Sequence, residues 1–182
     1  MLSDNVVMGK AHKNKILITG GAGFIGSHVA DAYIAEGHRV VVVDNLFRGA
    51  RRNINPRAKF YLADIRDGKK MTAIFKKEKP EVVNHHAALI EVARSMEEPM
   101  LTYDINVQGT LNVARLAADY GCKRIIFASS GGAIYGRVKK IPVPETAIPD
   151  PLSPYAFSKV LGEEAIKQYA KWGSMKFVIL RY

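Results

Sequence analysis

Cysteine is nearly missing from this chain: Cys122 stands alone among 182 residues. That excludes an internal disulfide and any cysteine-cage metal site. It falls in Asp119-Tyr-Gly-Cys-Lys-Arg124, where a helix should give way to a strand, and reads as a small, partly buried junction residue. No apolar run approaches the roughly 18 residues of a membrane-spanning helix. Met1–Lys10 lacks the unbroken apolar core of a signal peptide. These absences predict a cytoplasmic protein. Internal repeats and low-complexity tracts are also lacking, which excludes solenoids and biased linkers. Acidic residues are scarce, 17 against 27 lysines and arginines, for a net charge of +10. The cations are scattered, with clusters at Arg48–Arg52, Lys69-Lys70, Lys76–Lys79 and Lys139-Lys140. No aromatic residues interleave them in a repeat, so nucleic acid is not the expected partner.

What remains is ordinary for a globular domain: 48% hydrophobic and 24% charged residues, in a length that suits one core. Residues 1–14 are polar and unpatterned and read as a flexible leader. From residue 15, apolar strand-like runs at Lys15–Thr19, Arg39–Val43, Lys59–Leu62, Val82–His85, Arg124–Ala128 and Phe177–Leu180 alternate with helical patterns. The helices are expected near 25–36, 67–77, 99–120 and 154–172. The runs at 40–43 and 125–128 are apolar throughout, as befits parallel strands covered on both faces. This rhythm predicts an α/β fold, a doubly wound parallel sheet flanked by helices. Gly37 and Gly121 stand where helices should stop, and Ser153-Pro154 reads as an N-cap followed by a first-turn proline. Four of the eight prolines lie in 136–152, a long surface loop by this reading. The chain ends at Tyr182 directly after a strand, which predicts that it is the first part of a longer protein.

Two motifs carry the chemistry. After the strand Ile16-Leu17-Ile18, Thr19-Gly20-Gly21-Ala22-Gly23-Phe24-Ile25-Gly26 opens a helix. Glycines there let backbone approach a pyrophosphate, and the helix end favours its charge. Asp44 ends the next strand, 18 residues beyond Gly26. A carboxylate at that point accepts from both ribose hydroxyls and repels a 2′-phosphate, so NAD is expected over NADP. Arg48 and Arg51 lie near enough to soften that preference. The second motif is Tyr155-Ala-Phe-Ser-Lys159, which sets a phenol and an ammonium on one helix face. A tyrosine needs about 4 kcal/mol of differential stabilisation to ionise near pH 7, and two cations in a partly dry cleft are able to supply it. Ser129 and Ser130 end the fifth strand at the carboxyl edge of the sheet, placed to polarise a substrate oxygen. Hydride transfer coupled to loss of a hydroxyl proton is the chemistry implied. His85-His86 would project to opposite faces of a strand, so no metal is expected. Asn106 lies in a helical stretch, either facing inward for a reason or solvated on the surface.

Together these residues resemble the extended short-chain dehydrogenase/reductase family, and within it the NAD-dependent nucleotide-sugar epimerases, those acting on UDP-glucose above all. The resemblance runs from residue 15 to 182. Thr19–His28 is similar to the family's opening signature, with Gly20, Gly23, Phe24, Ile25 and Gly26 about the pyrophosphate. Asp44-Asn45-Leu46 is similar to its ribose-binding segment, and Asp64-Ile65 to its adenine contact. His85-His-Ala-Ala-Leu89, with Val92 and Ser95, resembles the segment that lines the cofactor, which implies contacts from Ala87, Ala88 and Leu89. Asn106-Val-Gln-Gly-Thr-Leu111 resembles the helix whose asparagine joins the catalytic group and the cofactor.

By resemblance, Tyr155 is the base, Lys159 holds a nicotinamide-ribose hydroxyl and lowers the tyrosine pKa, and Ser130 hydrogen-bonds the reacting oxygen, with Ser129 the alternative. Tyr182 joins the cofactor contacts. The implied reaction interconverts UDP-glucose and UDP-galactose through a 4-keto sugar. Another nucleotide-sugar epimerase or dehydrogenase, or a truncated inactive NAD-binding module, stays open. Gly131-Gly132 stand where related dehydratases and decarboxylases carry acids, which argues against elimination. Members of the family continue past the point matching Tyr182 into a last strand and a sugar-binding lobe. They also commonly form homodimers through the helices corresponding to 99–120 and 154–172.

Overall fold

The computed structural model describes residues 13–138 and 140–182. Of the leader expected over 1–14, only residues 13 and 14 fall among them. Six strands form one sheet: β1 (Lys15–Thr19), β2 (Arg39–Asp44), β3 (Lys59–Leu62), β4 (Val82–His85), β5 (Arg124–Ser129) and β6 (Lys176–Arg181). They lie in the order β3-β2-β1-β4-β5-β6, and every neighbouring pair is parallel. This is the doubly wound, Rossmann-type sheet expected from the alternating pattern. The order reverses between β1 and β4, and there the carboxyl ends of the strands open a crevice. Registers align Thr19 with both Val43 and His85, and Ser129 with Arg181.

Apolar strands bury both faces. Leu17, Val41, Val83, Ile125 and Phe127 pack against α2 (Gly68–Glu78), α5 (Gly109–Asp119) and α7 (Pro154–Trp172) through Phe75, Val113 and Ile166. On the opposite face, Ile16, Ile18, Val40 and Val42 meet Ala30 and Ile34 of α1 (Phe24–Ala35). Each of these large side chains contributes about 1.5–3 kcal/mol by leaving water. Cys122 is buried, its thiol donating to the Pro80 carbonyl at 3.1 Å, and burial pushes it up to about 12. It is a chemically quiet junction residue.

Helix boundaries follow local chemistry. Ser153 caps α7 by accepting from the Ala156 amide at 3.1 Å, and Pro154 opens the first turn. Asp67 caps α2 through the Lys70 amide at 3.0 Å. The helix expected over 99–120 differs from expectation. It divides into α4 (Pro99–Tyr103), a π-helical turn (Asp104–Gln108) and α5. Three short elements are additional to the sequence reading: α3 (Val92–Glu97), α6 (Gly131–Ile134) and a 3₁₀ turn at Arg51–Asn53. Among the described residues, no helix is long and apolar enough to cross a membrane.

Candidate functional site

A cleft of about 800 Å³ lies along the carboxyl ends of β1 to β5. Its floor is the turn between β1 and α1. Gly20 has φ +69, and a Cβ there would sit 2.6 Å from the Ala87 backbone nitrogen. A Cβ on Gly26 would lie 2.3 Å from the Gly20 carbonyl oxygen. The turn therefore closes against β4 and against its own helix only with glycines at both points. Gly23 precedes α1 with no side-chain cap, and no acidic residue occupies the first turn. The leading amides of α1 are left to an anion, which the helix dipole favours.

Asp44, at the end of β2, is buried. Its Oδ2 accepts from the Ala22 amide at 3.0 Å and its Oδ1 from the Leu46 amide at 2.7 Å. Beside it, Asp64 is held by the Arg66 Nε and Nη2 at 2.9 and 2.8 Å, and by Asn45 Nδ2 at 3.0 Å. The Arg66 fork keeps the Asp64 carboxyl down at about 2, against the cost of burial. Asp64, expected at the adenine, thus lines the cleft with both oxygens already bonded to protein groups.

At the other end, β5 delivers Ala128, Ser129 and Ser130 opposite Tyr155 and Lys159 of α7. The two serines part company. Ser129 shares the α7 face with Ile125 and Phe127 by strand alternation, and its hydroxyl donates to Glu163 Oε1 at 2.6 Å. Ser130, just past the strand, lines the cleft together with Tyr155. Burial pushes the Tyr155 phenol above its ordinary 10, and the Ser130 side chain opposes the rise. Lys159 is buried and lowered to about 8 for the same reason, with its Nζ donating to the Ala128 carbonyl at 2.8 Å. Its ammonium lies 5.9 Å from the centre of the Tyr155 ring. The sequence reading had Lys159 lowering the tyrosine pKa, whereas here desolvation prevails and the ammonium is bonded to Ala128.

Gly20, Gly23, Phe24, Ile25, Gly26, Asp44, Asn45, Asp64, Ile65, Ala87, Ala88, Leu89, Ser130, Tyr155, Lys159 and Tyr182 all line this one cleft, as the sequence reading had grouped them. Asn106 is not among the lining residues. It is 3% exposed in the π turn. Its Oδ1 accepts from the Leu89 amide at 2.7 Å, and its Nδ2 donates to the Leu89 carbonyl at 2.9 Å and to Ser158 Oγ at 3.0 Å. Asn106 positions the wall from beneath. The wider turn presents a polar side chain inward without leaving it unpaired.

The histidines separate. His85 is wedged between Thr19 Oγ1 at 2.6 Å and Thr110 Oγ1 at 2.9 Å, while His86 lines the cleft with its Nε2 unpartnered among the described residues. Burial lowers His85 to about 3 and His86 to about 4, so both are neutral. Arg48, expected near the ribose end, lines the cleft, as do Arg66 and Arg94, which were not among the expected contacts. Arg66 lies in the turn after β3, a position that could have flagged it, whereas Arg94 belongs to the unexpected short helix α3.

Such a cleft suits a long, anionic, two-ended ligand: unpaired amides at the middle, a carboxylate for hydroxyls at one end, a phenol and serine at the other. The model of the NAD dependent epimerase/dehydratase family matches residues 16–182. A Methanocaldococcus jannaschii protein, provisionally assigned as a UDP-glucose 4-epimerase, is 48% identical over 167 residues, covering 92% of this chain and 54% of that protein. The structure of UDP-glucose 4-epimerase from Thermotoga maritima with UDP-glucose superposes with TM-score 0.90 at 46% identity, covering 92% of this chain and 55% of that one. The Thermus thermophilus UDP-glucose 4-epimerase complex with NAD gives TM-score 0.89 at 41% identity, with 92% and 54% covered. The chain spans about half the length of the curated relatives it matches.

Proposed function

Since the chain belongs to the NAD dependent epimerase/dehydratase family, we propose that its cleft holds NAD and serves the 4-epimerisation of a UDP-hexose, UDP-glucose to UDP-galactose and back. The observation that carries this reading is that Ser130, Tyr155 and Lys159 line the same cleft as the glycine turn and the Asp44 carboxylate.

The residues present fit the cofactor. The α1 amides at Phe24 and Ile25 would hold a pyrophosphate, and Gly20 and Gly26 keep the turn free of the Cβ atoms that would close it. Asp44 takes the adenosine ribose, with Asn45, Asp64 and Ile65 about the adenine. Ala87, Ala88 and Leu89 form the wall between the halves, and Tyr182 borders the nicotinamide end. Lys159, already beside Tyr155, holds the second ribose. Bound there, the nicotinamide supplies hydride-transfer chemistry and one positive charge.

The chain's own work is proton transfer and orientation. Tyr155, raised by burial, takes the proton from the sugar 4-hydroxyl once cationic charge in the cleft favours its phenolate. Ser130 donates to that same oxygen. The proton returns to the oxygen when the 4-keto sugar is reduced on its other face. Gly131 and Gly132 follow Ser130 directly and carry no acid for an elimination. A homodimer through α4, α5 and α7 belongs to the same reading, supported by exposed Met100 and Phe157 on neighbouring helices, and size exclusion at several concentrations tests it.

The deciding experiment incubates the complete gene product with UDP-glucose or UDP-galactose and measures interconversion. Wild-type protein should equilibrate the two sugars, and Tyr155→Phe should lose activity while retaining NAD. A wild-type protein inert toward both sugars, or an active Tyr155→Phe variant, overturns the assignment.

A further inference from the structure

Helix α7 grips the end of β5 at three successive residues. Tyr155, Lys159 and Glu163 stand four apart on one helical face. Tyr155 lines the cleft with Ser130, Lys159 holds the Ala128 carbonyl at 2.8 Å, and Glu163 accepts from Ser129 at 2.6 Å. The third contact has no part in the chemistry proposed above.

Glu163 is only 1% exposed, an expensive place for a carboxylate. Burial works against its ionisation, and hydrogen bonds from Arg181 and Ser129 outweigh it, so its pKa lies below the ordinary value. Arg181 binds it with Nε at 3.0 Å and Nη2 at 2.7 Å. Ser129 and Arg181 are register partners on adjacent strands, so their side chains reach the same carboxylate from one sheet face. The remaining guanidinium nitrogen, Nη1, donates to Tyr135 Oη at 2.7 Å and to the Glu145 carbonyl at 3.0 Å, tying in the loop after β5.

We propose that Glu163 is a positioning residue for the Ser130–Tyr155 pair, acting through Ser129. Ser129 is turned into the helix layer by strand alternation and locked there by a charged acceptor. Ser130 is its covalent neighbour, so the lock sets where the Ser130 hydroxyl emerges into the cleft. The carboxylate touches no cleft surface and acts only through the strand end. The inference rests on the reading of Ser130 and Tyr155 as the reacting pair.

Ser129→Ala in the complete gene product removes the tether and leaves the Glu163–Arg181 ion pair in place. Its kcat for UDP-sugar interconversion should fall about tenfold, as misplaced reacting groups do, with KM and NAD affinity within about twofold. Tyrosinate absorbance, read as the difference between each protein and its Tyr155→Phe counterpart, reports the phenol directly. Ser129→Ala should move that titration upward, because the Ser130 side chain that favours the phenolate is displaced. Lys159 and His86 line the cleft beside the phenol and are the same in both proteins. Glu163→Gln, checked for folding by its melting curve, should reproduce the upward shift. Unchanged kcat and an unchanged Tyr155 titration in folded Ser129→Ala overturn the proposal. Should the wild-type protein not interconvert the sugars, the functional reading fails, and the titration alone still decides the tether.

Discussion

The Asp44 carboxylate accepts the Ala22 amide proton at 3.0 Å, so the acid at the end of β2 is bonded to the glycine turn after β1. Its other oxygen takes the Leu46 amide at 2.7 Å. Each oxygen keeps a lone pair for the cleft. One residue therefore shapes the turn and presents negative charge to the cleft.

Asp44→Asn places a donor amide opposite one of those backbone donors and removes the charge. NAD affinity should fall by at least about tenfold, the loss of one charge-assisted hydrogen bond or more. Discrimination against NADP should relax with it. Calorimetric titration with both dinucleotides measures this, and wild-type NAD affinity in Asp44→Asn would show that the ribose is held elsewhere.

Two glycines give a sharper contrast. A Cβ on Gly26 would meet the Gly20 carbonyl oxygen at 2.3 Å, and backbone on both sides leaves nothing flexible to yield. Gly26→Ala should cost about 1–3 kcal/mol or more in stability and abolish NAD binding. A Cβ on Gly132 meets nothing within 4 Å, so Gly132→Ala should stay within about 0.5 kcal/mol of wild type. Equal melting temperatures for the two variants would contradict the steric account.

Strands β1, β2, β4 and β5 were legible as buried apolar runs bounded by loops, the more exposed β3 and β6 by their place in the alternation with helices, and each observed strand lies within a residue or so of its expected bounds. The cleft residues were legible for a related reason: they sit at strand ends and helix starts, where turn glycines and caps leave sequence marks. The π turn left no such mark, since one extra residue in a helical turn changes no apolar spacing that a short window resolves. Nothing in the sequence therefore shows that Asn106 bonds both backbone groups of Leu89. Strand parity, counted from Ile125 and Phe127, separates Ser129 from Ser130. Glu163 and Arg181 were invisible, because their ion pair forms only where α7 packs across β6.

Asn106 satisfies both backbone groups of Leu89, a residue of the cleft wall, and spans to Ser158 on α7. Asn106→Ala would orphan a buried amide and a buried carbonyl, at about 1–3 kcal/mol each. Melting should drop accordingly, and NAD should bind more weakly because the wall moves. Asn106→Asp keeps the acceptor for the Leu89 amide but turns an oxygen toward the Leu89 carbonyl, so it should not rescue. Wild-type melting for Asn106→Ala would mean that another group satisfies Leu89.

Acid should destabilise the fold well above the pH where carboxylates titrate. His85 and His86 are held near 3 and 4 in the folded chain, chiefly by burial, against an ordinary value of 6.5. Below pH 6.5 the unfolded chain binds protons that the folded chain refuses. Stability therefore falls with falling pH, by up to about 1.4 kcal/mol per pH unit for each histidine. Asp64 and Glu78, both lowered to about 2, contribute stability that is present above the ordinary carboxylate range and lost toward pH 2. The two windows are separable. His86→Phe removes a ring whose Nε2 has no partner among the described residues, whereas His85 is bonded at both nitrogens. Melting temperatures taken between pH 7 and 4 should decline roughly half as steeply in His86→Phe as in wild type. An identical decline would mean that His86 is not buried in its neutral form.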